Sequence, residues 1–437
     1  MEKPSQSILI LGAYGFIGSA IANALSVAGH RITGFGRDTS YGRSILPEVT
    51  WHAGDLGQYC TPESWSTIIR NIDVVINASG VLQSSPGNNV TVTQADAIIA
   101  LAKACEMSGI VQFIQISACG ASDQAEDDFM QSKAHADRYL LASSMTTTVF
   151  RPGLVIGRNS YGGTELIRMV AALPGIAIGF PEFGKVQSIA LSDVVEAVLL
   201  AIAAPGKFAG SYELVEAESR SLDQIVALHR QWLGIAPARR HILAPMWLVK
   251  LAAAISDGLG WMGWRSPLRS NAIHSLAGGV AGDVRQTREI LGRPAMALDQ
   301  YLSSIPAGKQ DRIHARLMLL LPLSLSVLVL LWLGSGILGL IKVEEAASLL
   351  AGSSLSHQTA ELLVLGGALG DLALGFGLLF RKCVRLTLVG TILLSAAYLI
   401  GGTLFTPELW LDPLAPLIKA LAAMGLSLTC LIALDKR

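Results

Sequence analysis

Four apolar stretches in the last third of the chain set the first limit on what it can fold into. Leu317 to Ile341 carries no charge and is long enough to cross a bilayer as a helix. Leu362 to Phe380, about Leu386 to Leu404, and Leu414 to Leu434 supply three more. The flanks of these stretches differ in charge. Arg312 and Arg316 precede the first, Arg381, Lys382 and Arg385 fill the second turn, and Lys436-Arg437 follow the last. The first turn (Lys342, Glu344, Glu345) and the third (Glu408, Asp412) are acidic on balance. Basic segments stay inside, so the pattern predicts a multi-pass protein of the cell inner membrane with both termini in the cytoplasm.

Composition agrees with a membrane segment. Hydrophobic residues make up 51% and charged residues 15%, and the mean hydropathy is +0.49, high for a soluble protein. Lys+Arg (33) equals Asp+Glu (33), so no net field favours nucleic acid as a partner. The five cysteines (Cys60, Cys105, Cys119, Cys383, Cys430) are scattered and odd in number, which reads as reduced thiols and neither a disulfide framework nor a metal site. The first residues, MEKPSQS, run straight into the apolar ILILG without a signal-peptide core, so the amino-terminal part is expected to stay in the cytoplasm.

That amino-terminal part opens on a second informative pattern. Ser7 to Leu11 is a continuous apolar run, as in a parallel strand buried on both faces. It ends at Gly12-Ala-Tyr14-Gly15-Phe16-Ile17-Gly18, and an amphipathic helix follows. Glycine at 12 suits a tight turn, at 15 a close backbone approach to a diphosphate, and at 18 close packing of helix on strand. Phosphates then meet free N–H groups and the positive end of the helix dipole. A second strand, Arg31 to Gly36, runs into Arg37-Asp38. An acid at the strand end holds the ribose of NAD; here that place has no acid, and Arg37 can pair with a 2′-phosphate. NADP(H) is therefore favoured over NAD(H), with Asp38 gripping the ribose of NAD as the alternative.

Further segments carry a family resemblance. Gly54-Asp55-Leu56, Asn71 to Gly80 with its Ala78-Ser79-Gly80 end, Phe113-Ile-Gln-Ile-Ser117, Arg151-Pro152-Gly153 and Ser192-Asp193-Val194 follow the glycine turn in order. Together they resemble the extended and atypical short-chain dehydrogenases/reductases, the epimerase/dehydratase-like superfamily. The pattern looks most like the branch that holds the NADPH-binding accessory subunit of respiratory complex I. The likeness covers roughly residues 7–305 and is specific in its first half. It implies that the glycine turn, Asp55 and Leu56, residues 78–80 and Pro152 line the cofactor, and that Ser117 is the active-site serine.

Catalytic members pair a tyrosine with a lysine four residues on, so that both lie on one helix face. Here the matching segment is Phe129-Met-Gln-Ser-Lys133: the lysine is present, and the phenol has become a phenyl that transfers no proton. Tyr139 falls on another face of the same helix. Two functional readings stand. Either an enzyme takes its acid from Ser117, Asp128 or water, or the domain binds nucleotide without turnover. Lys133 can hold the nicotinamide ribose in both.

The stretch Pro245 to Trp264 is apolar with tryptophans near both ends, interrupted by Lys250 and Asp257, which suits a bilayer interface or an ordinary lobe helix. The four apolar stretches resemble the DoxX-like membrane domain, through Trp332-Leu-Gly-Ser-Gly336, Gly370-Asp371 and Leu409-Trp410 through Lys419. Some DoxX relatives are linked to quinone oxidation, which points to quinone as a partner. Asp371 and Lys419 sit inside the second and fourth stretches, at depths that differ by about 5 Å for a 1.5 Å rise per residue. They are expected to pair, since a lone ion there costs about 2.5–3.5 kcal/mol, with Lys419 snorkelling to the outer surface as the alternative.

The expected architecture is an α/β Rossmann fold, a doubly wound parallel sheet, over 1–215, a substrate lobe over 216–311, and an all-α four-helix transmembrane domain over 312–437. The expected function is a membrane-anchored, NADP(H)-binding oxidoreductase acting on a lipophilic, quinone-related molecule. The alternative is a non-catalytic scaffold of a respiratory or quinone-synthesising membrane complex.

Overall fold

A computed structural model describes the chain except residues 1–4, 81–89, 181–182, 265, 267, 269, 271–272, 274–277, 352–355, 414 and 435–437. Leu414, Lys436 and Arg437, used above to bound and orient the fourth span, lie outside the described residues. The chain divides into two compact units, residues 1–257 with 266–312, and residues 258–265 with 313–437.

The first unit is built on seven parallel strands: β1 (Ser7–Leu11), β2 (Arg31–Gly36), β3 (Thr50–Ala53), β4 (Val74–Asn77), β5 (Gln112–Ile116), β6 (Thr146–Pro152) and, at the edge, Gly210–Leu214. Numbered after β7 (Leu154–Ile156), β8 (Ile176–Gly179) and β9 (Val186–Ala190), that edge strand is β10, and the order is β10-β6-β5-β4-β1-β2-β3. Alternate side chains of β1 go to opposite faces. Ile8 and Ile10 join a core with Ile21, Leu25 and Val194, while Leu9 and Leu11 join Val75, Leu101 and Phe113. Both faces are covered, which is why the strand reads as an unbroken apolar run. Strand order reverses between β1 and β4, and a crevice at the carboxyl ends of such strands is the usual ligand position.

Helices α1 (Phe16–Val27), α2 (Thr39–Ile45), α3 (Pro62–Trp65), α4 (Ala97–Met107) and α5 (Asp128–Ala142) connect the strands, followed by α6 (Gly163–Ala171), α7 (Leu191–Ala203), α8 (Leu222–Trp232) and α9 (Met246–Trp261). β8 pairs in parallel with β12 (Arg240–Leu243), so the lobe outside the main sheet draws on residues both before and after 215. β11 (Ser219–Arg220) closes a small sheet with β9 and β7. Asp193, in the family signature, is buried. It binds Arg293 Nη2 at 2.8 Å and the Met296 N–H at 2.7 Å, pinning the chain that follows Val284–Leu291.

The second unit holds four helices long and apolar enough to cross a membrane: Lys309–Ile341, His357–Leu379, Val384–Phe405 and Pro416–Ala433. A short helix, Val343–Ala351, occupies part of what the sequence reads as the first turn. Leu328, Trp332, Leu378, Leu388 and Cys430 form the bundle interior, while leucines such as Leu330 and Leu386 face outward. Gly336 lets two spans approach closely, since a Cβ there would lie 2.8 Å from the Ala368 carbonyl oxygen.

The expected Asp371–Lys419 ion pair does not form. Asp371 is buried, but its two oxygens accept hydrogen bonds from Ser335 Oγ (2.5 Å) on the first span and Tyr398 Oη (2.6 Å) on the third, while Lys419 is exposed. Equal depth on two helices sets height and not direction, and two hydroxyls already satisfy the carboxyl group.

Candidate functional site

The glycine turn is shaped by contacts that exclude side chains. Gly12 has φ +73°, and a Cβ on it would lie 2.8 Å from the Ala78 carbonyl oxygen. A Cβ on Gly18 would lie 2.2 Å from the Gly12 carbonyl oxygen, so only glycine lets α1 pack on the turn. At Gly15 the one close neighbour would be the Gly12 oxygen at 3.0 Å, and the rest of that side is open. Gly15 caps α1 without a side-chain hydrogen bond, and the first turn carries no acid. This end of α1 thus presents unneutralised N–H groups beside open space, which fits a diphosphate. Phe16 and Ile17 turn their side chains to the core, and the Phe16 ring packs on Gly157.

Tyr14 closes the turn against β2. Its hydroxyl accepts the N–H groups of Arg37 (3.0 Å) and Asp38 (3.3 Å), and its ring stacks on Trp51 at 5.7 Å. Asp38 caps α2 by accepting the Tyr41 N–H at 2.9 Å. The Arg37 side chain is half exposed and lies 4.0 Å from Asp55, whose other oxygen accepts from Gly57 N–H. Leu56 packs against the α4 side of the sheet.

At the end of β4, Asn77 Oδ1 accepts from the Ser79 N–H (3.0 Å), and its amide donates to Gln115 (2.8 Å), which orders the Ala78-Ser79-Gly80 turn. Lys133 reaches this turn from α5. Its ammonium is buried and donates to the carbonyls of Ser79 (3.1 Å) and Ile116 (3.0 Å). Burial pushes its pKa down to about 8, only partly offset by the nearby Asp137 carboxylate.

Asp137, one helical turn after Lys133, was not singled out from the sequence. It is fully buried, accepts from Ser117 Oγ at 2.7 Å, and pairs with Arg151 Nη2 at 3.0 Å. Burial raises its pKa, against the pull of Ser117, Arg151 and Lys133. The Lys-x-x-x-Asp spacing was the available signal, because it puts both groups on one face. The ends of β5 and β6 are stitched together by Ser117 N–H to Phe150 O (2.7 Å) and Cys119 N–H to Pro152 O (3.0 Å). Tyr139 turns away and donates to Glu106 on α4 (3.1 Å), while Asp128 is exposed on the first turn of α5.

Ser79, Lys133, Ser117, Asp137 and Arg151 thus form one connected group at the carboxyl ends of β4, β5 and β6, beyond the glycine turn. This arrangement defines a nucleotide-binding α/β domain. Residues 12–172 match the family model described as NAD(P)H-binding, and residues 329–428 match the DoxX-like family. The chain therefore joins an NAD(P)H-binding domain to a DoxX-like domain. Over 262 residues it is 26% identical to NADH dehydrogenase [ubiquinone] 1 alpha subcomplex subunit 9, mitochondrial, of Arabidopsis thaliana, covering 57% of this chain and 62% of that protein. Among solved structures it is similar to dTDP-glucose 4,6-dehydratase from Bacillus anthracis in complex with NAD (14% identity, 69% of this chain, 95% of that one, TM-score 0.51). It is also similar to the Bordetella bronchiseptica enzyme WbmG in complex with NAD (15%, 69%, 92%, TM-score 0.52). At these identities the two structures speak for the fold alone.

Proposed function

We propose that the chain is a membrane-anchored, NADP(H)-binding oxidoreductase that acts on a lipophilic, quinone-type molecule at the cytoplasmic face of the inner membrane. The observation that carries this reading is Lys133, buried beside the Ser79 turn with two of its three N–H donors on carbonyls and one left for a ribose hydroxyl. The N-terminus of α1 would hold the diphosphate, and Arg37 a 2′-phosphate, which favours NADP(H) over NAD(H). NADP(H), when bound, supplies a hydride.

What supports a quinone-type substrate is the proton chemistry of Phe129 and Ser117 among the described residues. Phe129 has no proton, and Ser117 donates its hydrogen to Asp137, so it meets a substrate oxygen only as an acceptor while that bond holds. A simple ketone would need an acid beside its oxygen. A quinone does not, because the charge left on oxygen spreads over its ring. The basic flanks Arg312, Arg316, Arg381, Lys382 and Arg385 support the orientation that keeps the nucleotide site in the cytoplasm.

A second reading, a nucleotide-binding scaffold of a membrane complex, is favoured by Phe129 and by the Arabidopsis relative, whose name makes it a subunit of an NADH dehydrogenase. Full-length protein in detergent, titrated with NADPH and NADH and then supplied with a short-chain quinone, separates the two. NADPH oxidation with the quinone, and none with a simple ketone, is the expected result. Tight binding without turnover on any lipid extract would move the assignment to the scaffold.

A further inference from the structure

Helix α9 runs unbroken from Met246 to Trp261, about 24 Å at 1.5 Å per residue. Val249, Ala253 and Gly260 form its buried line. The opposite arc consists of Trp247, Leu248, Leu251, Ala254, Ile255, Gly258 and Trp261, all exposed and none polar. Trp247 is 67% exposed, Ile255 58% and Trp261 77%. Lys250 lies on one edge of this arc, and beside it Asp257 accepts a hydrogen bond from Ser270 Oγ (2.5 Å). Just upstream, β12 exposes Ile242 and Leu243. A continuous apolar face of this size calls for an apolar partner.

The segment that ends the helix indicates which partner. Trp264 Nε1 donates to the carbonyl of Leu379 at 2.6 Å, and the Arg381 N–H donates to the carbonyl of Met262 at 3.0 Å. The Arg381 guanidinium lies 5.6 Å from the Trp264 ring. Leu379 is the last residue of the second span, and Arg381 and Lys382 form the basic turn after it. That is the level at which hydrocarbon gives way to headgroups, so residues 262–264 are fixed there. A tryptophan-ended apolar helix face with a lysine on its edge suits lipid at that level: the rings take the boundary and the ammonium reaches phosphate.

We propose that α9 lies in the plane of the bilayer interface, with the arc from Trp247 to Trp261 sunk to the level of the upper acyl chains. The helix is then an in-plane attachment to lipid. The inference depends on the membrane-spanning helices and is independent of whether hydride transfer occurs.

The test uses full-length protein in phosphatidylethanolamine/phosphatidylglycerol vesicles, with the exposed Cys60 and Cys383 changed to serine. An environment-sensitive fluorophore is attached in turn to Leu251→Cys, Ala254→Cys, Ile255→Cys and, as an aqueous control, Met107→Cys, which is 78% exposed in the wild type. Lipids with a nitroxide high on the acyl chain should quench the three α9 positions about threefold more than position 107, and aqueous iodide should do the reverse. Iodide quenching at 251, 254 and 255 equal to that at 107 would overturn the proposal. So would protection from iodide without nitroxide quenching, because a protein and not lipid would then cover the face.

Discussion

Ser117 Oγ donates a 2.7 Å hydrogen bond to Asp137, the same carboxylate that holds Arg151. The serine is thus tied into a buried charge network and faces away from the role of proton donor. Ser117→Ala should lower turnover with a quinone by less than about tenfold, whereas loss of an essential general acid costs about 10²–10⁴-fold. A drop of that larger size would make Ser117 the acid and reverse the argument for the substrate class. On stability the two partners of this bond should differ. Ser117→Ala removes one hydrogen bond, about 1 kcal/mol. Asp137→Ala leaves Arg151, only one-quarter exposed, without its partner, and should cost about 2–4 kcal/mol in a denaturant titration.

Lys133 gives a pH signature. Its pKa falls from 10.5 unfolded to about 8 folded, so between those values the unfolded chain binds the proton that the folded chain has lost. Stability therefore rises with pH through that window, by roughly 3 kcal/mol in all. Below pH 8 both states are protonated and the penalty of the buried ammonium is fully present. Wild type measured against Lys133→Met from pH 7.5 to 10.5 should gain on the variant as pH increases. A difference that is flat or falls with pH would show that the lysine keeps its normal affinity for protons in the fold.

The sheet was readable because parallel strands buried on both faces leave a trace in every residue, as Ile8 to Leu11 do, and because Gly12 and Gly18 are places where nothing else fits. Asp137 was not, since one acid among the charges of α5 looks like any solvated helix residue until Ser117 and Arg151 arrive from β5 and β6. The spans were readable by apolar length alone. Their ends were not: the first helix starts at Lys309, about two turns before the apolar run, because helices continue through polar residues that hydropathy discards. Likewise Glu344 and Glu345 read as a turn but open the helix Val343–Ala351.

The three glycines of the turn should respond differently to alanine. Gly18→Ala and Gly12→Ala place a methyl group against backbone oxygen at 2.2 and 2.8 Å, so the turn must shift and the melting temperature should fall. Gly15→Ala makes one tight contact, 3.0 Å to the Gly12 oxygen, which must give by a few tenths of an ångström, so the melting temperature should fall least of the three while the methyl blocks the diphosphate. Calorimetric titration of folded Gly15→Ala with NADPH should show affinity reduced about tenfold or more. Wild-type affinity in that variant would move the diphosphate away from the turn.

The proposed preference for NADPH over NADH is tested at Arg37. Its side chain is half exposed with Asp55 4.0 Å away, and Asp38 is drawn off as the cap of α2. Arg37→Ala should weaken NADPH by about tenfold, the worth of one charge-assisted contact, and leave NADH within about twofold. An unchanged preference in the variant would return the ribose to Asp38 and the assignment to NAD(H).

Inside the bundle, the two hydroxyls on Asp371 replace the expected ion pair and predict a different pattern of losses. Each hydrogen bond between membrane helices is worth about 0.6 kcal/mol, with extremes near 1.7. Tyr398→Phe and Ser335→Ala should each lower stability by about that amount. Asp371→Leu should lose both bonds and leave the Ser335 and Tyr398 hydroxyls without that partner, so its loss should exceed either. Lys419→Leu should be nearly silent, because its exposed side chain has no carboxylate to leave behind. Asp371→Leu combined with Lys419→Leu should then equal the sum of the single effects in a detergent melt. A double variant more stable than Asp371→Leu alone would mean that the lysine does reach the carboxylate in lipid. Asp371→Asn keeps oxygen for one hydroxyl and a matching volume, so it should fall between wild type and Asp371→Leu.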